Sequence, residues 1–161
     1  PTDINRSVET LAKYHSDKHI QIGHAKDCVT IVLDDDMLFA EGSHEVQPGA
    51  YAFLTDLSTV IAETESLVEF RGHTDDIGNE DPRLNWEVGA GRATSVLLYI
   101  QGKAEIDPDR LRVVSYGDTD PLVSNNNAAN RSKNRRVEIV MASSSQAMID
   151  AAQTNQWVEE R

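Results

Sequence analysis

The feature that most constrains the fold is an alternation of apolar, strand-like runs with helices that have one apolar face. The strand-like runs cover residues 28–33, 67–70, 111–116 and 137–141. Helices are predicted after Pro48 and from Pro82, since proline suits the first helical turn, and Gly102 is placed to end the second helix. The order strand, helix, strand, helix, strand, loop, strand indicates an α/β (α+β sandwich) fold.

The connections between the strands predict a mixed sheet. Strands that are joined through a helix usually lie parallel, with a right-handed crossover. The last strand follows a polar, Asn-rich loop at 118–134 instead, so we expect it to run antiparallel. The residues from 28 to 142 are therefore predicted to form one domain.

Residues 1–27 precede this domain and contain their own signals. Asp3 is placed to cap a helix in which Ile4, Val8 and Leu11 recur at three- and four-residue spacing, followed by Tyr14 or His15. Residues 19–22 alternate like a short strand, which makes a hairpin with 28–33 plausible.

Residues 143–161 follow the domain as a tail. Met148, Ile149, Ala152 and Trp157 are spaced loosely like a short amphipathic helix. A tail helix, a dimer contact and disorder are all compatible with this pattern.

The charge balance excludes some classes of partner. The chain has 15 Lys and Arg against 27 Asp and Glu, a net charge of −12. Such a chain repels phosphate backbones and anionic membrane surfaces, so we expect no nucleic-acid partner. Residues 131–136 contain four cations, which is compatible with a site for a small anion or with a solvated loop.

Cysteine and histidine give no signal for a cofactor or a metal. Cys28 is the single cysteine, and its apolar surroundings favour a buried, inert thiol. The other histidines are scattered through the first third of the chain, away from His73. The sequence therefore predicts no metal site and no cofactor.

The residues best suited to binding a ligand follow the second strand of the core. Gly72-His73-Thr74-Asp75-Asp76 lies after a strand and leads into a helix, where open α/β sheets usually place ligands. Arg92 lies on the predicted apolar face of that helix, with Val88 and Val96, and a buried cation needs a partner. Asp75 and Arg92 fit a structural ion pair, or a clamp in which Arg92 binds a carboxylate and Asp75 an ammonium.

The acidic run Asp34-Asp35-Asp36 at the end of the first core strand is read as a solvated turn. No nucleophile elbow, phosphate-binding loop or dinucleotide fingerprint is present. The tandem carboxylates of Asp75 and Asp76 point in alternate directions, which is poor geometry for acid–base catalysis. An enzymatic function therefore has no support in the sequence.

Several motifs in order carry a resemblance to a known family. They are Gly72-His73-Thr74-Asp75, Asn85-Trp86-Glu87-Val88, Arg92-Ala93, the stretch from Leu111 to Asp118 with Pro121, and Asn134-Arg135-Arg136-Val137-Glu138-Ile139. Over residues 28–142 the chain resembles the peptidoglycan-binding domain shared by OmpA, Pal and MotB. Asn85-Trp86-Glu87 and the segment from Leu38 to Ser43 look most like the flagellar stator B subunits, MotB and PomB.

The resemblance implies a mixed OmpA-C-like sheet with a β-α-β-α-β-β core, to which the chain adds an N-terminal helix. It implies a ligand, the stem peptide of peptidoglycan, held by its diaminopimelate zwitterion. Carried over by position, Asp75 takes the ammonium and Arg92 the carboxylate, and Thr74 lines the site. Asn85 holds the loop–helix junction or touches the ligand, and Arg136, or less favourably Arg135, supplies a second cation.

The resemblance also implies a role. The chain would be the periplasmic, non-enzymatic anchor of an ion-driven flagellar stator, sodium-driven stators included, within a single-pass inner-membrane homodimer. Residues 1–27 would be a linker whose rearrangement regulates wall binding. The stator A subunit, through a missing N-terminal part, and periplasmic ring proteins of the basal body would be partners. An OmpA- or Pal-type outer-membrane anchor without a motor role is the alternative, and a wall hydrolase and a domain used only for assembly are more distant ones.

Two glycines depart from the family pattern. The helix carries Val88-Gly89 where the family often has Leu-Ser, and Gly91 follows. Each glycine costs a helix roughly 1 kcal/mol relative to alanine. We therefore expect a helix that is either soft or very closely packed beside the site, and in the softer case part of a movable unit with residues 1–25.

Overall fold

The computed structural model describes residues 4–78 and 80–153. The helices are α1 (Ile4–Val8), α2 (Asp35–Leu38), α3 (Tyr51–Glu63), α4 (Pro82–Gln101), α5 (Ala128–Asn134) and α6 (Ser145–Gln153). Short 3₁₀ helices cover Glu9–Tyr14, Pro48–Ala50 and Pro108–Arg110. The strands are β1 (Ile20–Ala25), β2 (Cys28–Asp34), β3 (Leu67–His73), β4 (Leu111–Gly117) and β5 (Arg136–Ala142). In this part of the chain no helix combines the length and the apolar character that crossing a membrane requires.

The five strands form one mixed sheet in the order β1-β2-β5-β3-β4. β3 and β4 are parallel, and β5 runs antiparallel to both of its neighbours, as the connections predict. The insertion of β5 brings the carboxyl ends of β2 and β3 to the same edge as its own amino end. At that edge Arg136 is in register with Asp34 on one side and His73 on the other.

Strand alternation gives the sheet two different faces. One face is apolar and packs against α1, α3 and α4; its strand residues include Ile31, Leu33, Phe70, Val137 and Ile139. The opposite face carries charged side chains, which are buried all the same, together with small apolar clusters around Leu122 and Met148. The choice of face therefore decides what each strand residue can do.

The N-terminal segment belongs to the same core. Val8 and Leu11 are almost fully buried in the cluster that α3 and α4 also enter. β1 pairs with β2 along its whole length, so the helix and the hairpin that the spacing predicts are both present. The proposed cap, Asp3, lies outside the described residues.

The buried face of α4 differs from the predicted one. The spacing predicts Leu84, Val88 and Val96 among the inward residues, followed by Tyr99 or Ile100. Val96 and Ile100 are buried as predicted, but Leu84 is 46% exposed, and Asn85, Gly89 and Ala93 take the other buried positions. The cause is a close backbone contact: a Cβ on Gly72 would lie 1.8 Å from the Gly89 carbonyl oxygen. Gly89 therefore has a packing role: with no side chain at this position, α4 can lie close to the backbone of β3.

Two short helices are absent from the sequence expectations. α2 begins inside the acidic run that is read as a solvated turn, and that reading is wrong for Asp35, which is buried. α5 lies in the polar stretch 118–134; Asn134 is its single buried residue, so no apolar period marks it. In the tail, Met148 of α6 packs against the sheet. Trp157 lies outside the described residues.

Candidate functional site

A cavity of about 590 Å³ opens at the sheet edge where β2 and β3 end and β5 begins. Its charged walls come from α2, α4 and the residue before β5, and the segment after α2 closes its far side. It is lined by Asp35, Asp36, Phe39, Ala40, Glu41, Gly42, Gln47, Arg92 and Arg135. Two guanidinium groups and several carboxylates therefore share one small space.

Asp75 is held beside this cavity by its own loop. The Ile77 N–H donates to Asp75 Oδ1 at 2.9 Å, and Thr74 Oγ1 donates to the Asp75 carbonyl oxygen at 2.9 Å. The Thr74 N–H donates to the Gly117 carbonyl at 2.8 Å, which ties the loop to the end of β4. The other carboxylate oxygen, Asp75 Oδ2, accepts from Arg135 Nη1 at 2.6 Å. Asp75 thus has one oxygen that orders the loop and one that is paired with a cation of the cavity.

Arg92 has a different partner from the expected one. Its Nε lies 3.1 Å from Asp35 Oδ1, and the two side chains are only 14% and 11% exposed. This contact lacks hydrogen-bond alignment, and both of these buried atoms are without a hydrogen bond. The expected structural pair between Asp75 and Arg92 is not formed, because Arg135 and Asp35 take the two places.

Burial dominates the electrostatics of Asp35. It raises the pKa of the Asp35 carboxyl, while the nearby guanidiniums of Arg92 and Arg135 act in the opposite direction. The Asp35 N–H also donates to the Arg135 carbonyl at 3.1 Å, which ties the start of α2 to the residue before β5. The charges alternate in the order Asp75, Arg135, Asp35, Arg92; the last three line the cavity, and Asp75 is joined to it through its ion pair with Arg135.

Arg136 does not reach the cavity, which corrects the preferred assignment of the second cation. It is 1% exposed; its Nε donates to Glu138 Oε2 at 2.6 Å, and its Nη groups donate to backbone carbonyls of Asn134 and Asp120. The reason is the period of two in a strand: Val137 and Ile139 face the apolar core, so Arg136 and Glu138 face the other side. Arg135, the alternative in the sequence reading, lines the cavity.

Asn85 lies where the loop after β3 joins α4. It is buried, and its Oδ1 would lie 3.6 Å from a Cβ on Gly78, whose φ of +92° favours glycine. This position fits the first of its two expected roles, that of holding the loop–helix junction. Contact with a ligand remains a prediction.

Sequence reasoning missed the cavity residues that follow β2, among them Asp35, and a signal for Asp35 exists. β2 and β3 are both followed by helices, so their carboxyl ends are expected at the same edge. The acidic run after β2 therefore belongs beside the Thr74-Asp75 loop. The alternation of Arg136, Val137, Glu138 and Ile139 likewise indicates that Arg136 shares a face with Glu138.

A second set of charged residues lies on the opposite face of the sheet. We call Glu69, Arg71, His73, Arg136 and Glu138 the second-face network. All five are buried. Glu69 pairs with Arg71 at 2.7 Å, and Glu138 pairs with Arg136 at 2.6 Å. His73 lies 3.5 Å from Glu138 Oε1 and stacks on the ring of Tyr116.

The second-face network has its own pKa pattern. Burial raises the pKa of Glu138, but its contacts with His73 and Arg136 outweigh burial and hold that pKa well below its ordinary value. Burial also lowers the pKa of His73, against the pull of Glu138. Over residues 4–78 and 80–153, no group of three or more His, Cys, Asp or Glu side chains is arranged to hold a metal ion.

The comparisons with known proteins agree with this architecture. The model of the OmpA family matches residues 38–135. The uncharacterized protein YtxE of Bacillus subtilis is 32% identical over 118 residues, which are 72% of this chain and 49% of that protein. The chain spans about half the length of the curated relatives it matches.

Two solved structures share the fold at high coverage. A MotB-like protein from Desulfovibrio vulgaris is 31% identical with a TM-score of 0.74, covering 86% of this chain and 93% of that one. The cell wall anchor of the type VI secretion system from Pseudomonas aeruginosa is 25% identical with a TM-score of 0.76, covering 88% and 100%. The family model, these neighbours and the mixed five-stranded sheet confirm the resemblance seen in the sequence, and the chain belongs to the OmpA family.

Proposed function

We propose that this domain is a non-enzymatic anchor that binds the stem peptide of peptidoglycan in the cavity at the sheet edge. The observation that carries the proposal is the row of alternating charges along that cavity, in a chain of the OmpA family. An amino-acid zwitterion presents a carboxylate and an ammonium a few ångströms apart. A wall of alternating guanidinium and carboxylate groups is complementary to that pattern.

In this proposal the side chains of the cavity and of the loop beside it have different roles. Arg92 receives the ligand carboxylate through its planar guanidinium, and Asp75 receives the ammonium. Arg135 supplies the second cation in place of Arg136, since it lines the cavity and already contacts Asp75. Thr74 shapes the loop around Asp75, and Asn85 holds the start of α4. The net charge of −12 does not oppose such a ligand, because a zwitterion has no net charge to repel.

The test is co-sedimentation of the full chain with purified peptidoglycan sacculi. Asp75→Ala and Arg92→Ala are expected to abolish retention while circular dichroism shows an unchanged fold. Arg83→Ala is the matched control for Arg92, since Arg83 is an exposed arginine on the same helix that pairs with Glu87. Asp109→Ala is the matched control for Asp75, because Asp109 lies just before the amino end of β4, at the opposite edge of the sheet. Binding that survives both site variants would refute the site, and release of soluble fragments from sacculi would refute the non-enzymatic role.

We further propose that the anchor serves a flagellar stator, as the periplasmic C-terminal domain of a homodimeric, single-pass inner-membrane B subunit. The MotB-like neighbour at 31% identity and the stator-like motifs Asn85-Trp86-Glu87 and Leu38 to Ser43 support this assignment. A genetic exchange tests it: the chain replaces the corresponding domain of a stator B subunit, and swimming is measured. Swimming that depends on Arg92 supports the motor role.

The alternative is an envelope anchor without a motor. The similarity to the cell wall anchor of a secretion system supports it, because the match covers the whole of that neighbour's chain and 88% of this one. Loss of swimming in the exchange, with full binding to sacculi in vitro, would support this alternative over the stator.

Regulation by the N-terminal segment is the remaining part of the proposal. Residues 1–27 would pack on the core while the stator is idle and rearrange when the stator joins the motor, so that the domain reaches the wall. Because the backbone of Gly89 is packed tightly against Gly72, we do not include α4 in the movable part and limit that part to the N-terminal segment. Hydrogen exchange tests this: α1 and β1 are expected to exchange much faster than β3 and β5, and uniformly slow exchange in all four would contradict it.

A further inference from the structure

Asp35 occupies the position at Arg92 that a ligand carboxylate would need. The carboxylate oxygen Asp35 Oδ1 and Arg92 Nε are 3.1 Å apart at the cavity wall, and both are buried. Neither atom makes a hydrogen bond, although a well-formed arginine–carboxylate pair makes one or two. The two groups therefore attract each other by charge without forming an aligned hydrogen bond. Each can still bind a partner that offers better geometry.

We propose that Asp35 is a specificity-determining residue: as the internal counterion of Arg92, it restricts the cavity to ligands that bring a cation together with their carboxylate. This inference rests on the proposed peptidoglycan-binding function and concerns the same cavity. It assigns to Asp35 the rejection of ligands that carry a carboxylate alone.

The two kinds of ligand differ in which buried group they leave unpaired in the cavity. A simple carboxylate that binds Arg92 displaces Asp35 from its cation and leaves a buried carboxylate unpaired, which is costly. A zwitterion brings its own cation: its carboxylate takes Arg92, and its ammonium, received by Asp75, enters the same row of charges and compensates the displaced Asp35. Selectivity then arises from a penalty against the wrong ligand as well as from contacts with the right one.

The neighbouring acidic residues cannot take this role. Asp36 lines the same cavity but is exposed, so solvent screens it. Asp34 pairs with His19 at 2.9 Å and is partly exposed at the end of β2. Asp75 is paired with Arg135, so among these four carboxylates Asp35 is the one in contact with Arg92.

The test compares three forms of the same sacculi. The amino groups of the first are untouched, those of the second are N-acetylated and carry no charge, and those of the third are reductively methylated and stay cationic. The full chain is assayed by co-sedimentation as wild type, Asp35→Asn, Asp35→Ser and Asp36→Asn. Asp36→Asn removes the same charge from the same cavity and is the matched control.

We expect wild type and Asp36→Asn to bind acetylated sacculi roughly tenfold more weakly than untouched or methylated ones. In the Asp35 variants that ratio is expected to fall to about threefold or less, because untouched sacculi bind more weakly and acetylated ones more tightly. Circular dichroism accompanies each variant, and the ratio is taken from whichever Asp35 variant folds.

Each other result overturns the proposal. An unchanged ratio in a folded Asp35 variant, with normal wild-type binding, refutes the role of Asp35 and leaves the anchor function intact. A matching fall of the ratio in Asp36→Asn assigns the effect to net charge alone. Failure of both Asp35 variants to fold makes the residue structural. Absence of wild-type binding to every form of sacculi refutes the anchor function and this inference together.

Discussion

The cavity and the second-face network are built from the same kinds of residue, but they differ in accessibility and in contact geometry. Arg136 is fully enclosed and makes hydrogen bonds to Glu138 and to two backbone carbonyls. Arg92 lies at an open wall, and its contact with Asp35 is not aligned for a hydrogen bond. The second-face network also has buried atoms without a hydrogen bond, Arg71 Nη2 and the ring nitrogens of His73, so the contrast concerns the two arginines. The complete pairing of Arg136 suits a structural role, and the incomplete pairing of Arg92 at a cavity suits exchange with a ligand.

Two consecutive residues make the difference plain. Arg135 and Arg136 are adjacent in sequence, yet one lines the cavity and the other lies beneath the opposite face. Their roles follow from position relative to the first residue of β5, where alternation begins. Residue type alone therefore cannot assign function within such a run of cations.

The largest expected effect comes from breaking the second-face network. Arg136→Leu leaves the buried Glu138 carboxylate without its main cation, which costs about 3–5 kcal/mol of unfolding free energy. Urea denaturation measures the loss. Arg135→Leu is the matched control and is expected to cost less, about 1–2 kcal/mol, because that side chain is partly exposed and the buried Asp75 keeps its hydrogen bond from the Ile77 N–H. Equal losses in the two variants would contradict the distinction between the regions.

The next largest effect comes from the contact that places α4, and with it Arg92. In Gly72→Ala the new Cβ meets the Gly89 backbone at 1.8 Å, so the helix must move, at a cost of at least about 1–3 kcal/mol. Sacculus binding is expected to fall as well, since Arg92 moves with the helix. Thermal unfolding checks the stability loss. Gly49→Ala, whose Cβ would meet nothing within 4 Å, is expected to be nearly neutral.

A smaller effect concerns the pH response of the second-face network. Burial lowers the pKa of His73, so the folded state holds it neutral while the unfolded chain takes a proton below about pH 6.5. Stability is therefore present above that pH and is lost as the pH falls through it. Between pH 7.5 and 5.5, wild type is expected to lose about 1 kcal/mol more than His73→Phe. The same loss in both proteins would assign the pH response to other groups.

The smallest effect has the opposite sign and belongs to the cavity. The pKa of Asp35 is raised, so the folded state binds its proton more tightly than the unfolded chain does. This carboxyl therefore adds stability as the pH falls toward the ordinary range of a carboxyl group, and the gain is lost as the pH rises again. Asp35→Asn lacks the gain and is expected to lose up to about 1 kcal/mol more than wild type between pH 6 and pH 4. Chemical denaturation at both pH values measures it, with Asp36→Asn expected to follow wild type.

Much of the fold could be predicted from periodicity. The apolar runs locate β2 to β5, and Pro48, Pro82 and Gly102 mark helix ends that the structure confirms within a few residues. α5 escaped prediction because its contacts are polar, and polar contacts leave no apolar period. The inward face of α4 escaped because a pair of glycines, rather than the largest apolar side chains, decides how the helix lies on the sheet.

The candidate site was predictable in part. The loop with Thr74 and Asp75 and the helix with Arg92 were identified; Arg92 lines the cavity, and Asp75 is joined to it through Arg135. The pairing was not, because Asp35 and Arg135 come from segments 40 or more residues away from their partners, and sequence spacing does not measure such distances. Strand register brings these four residues together.

The sequence by itself determined the mixed α/β class, the acidic character and the membership of the OmpA family, because these depend on local periodicity, composition and ordered motifs. The tertiary structure decided which arginine meets which carboxylate. That outcome depends on the insertion of β5 between β2 and β3, on the face that each residue of β5 presents, and on the contact of Gly72 with Gly89. Charges pair with what the fold brings within a few ångströms, and long-range register, which no local pattern encodes, sets those distances.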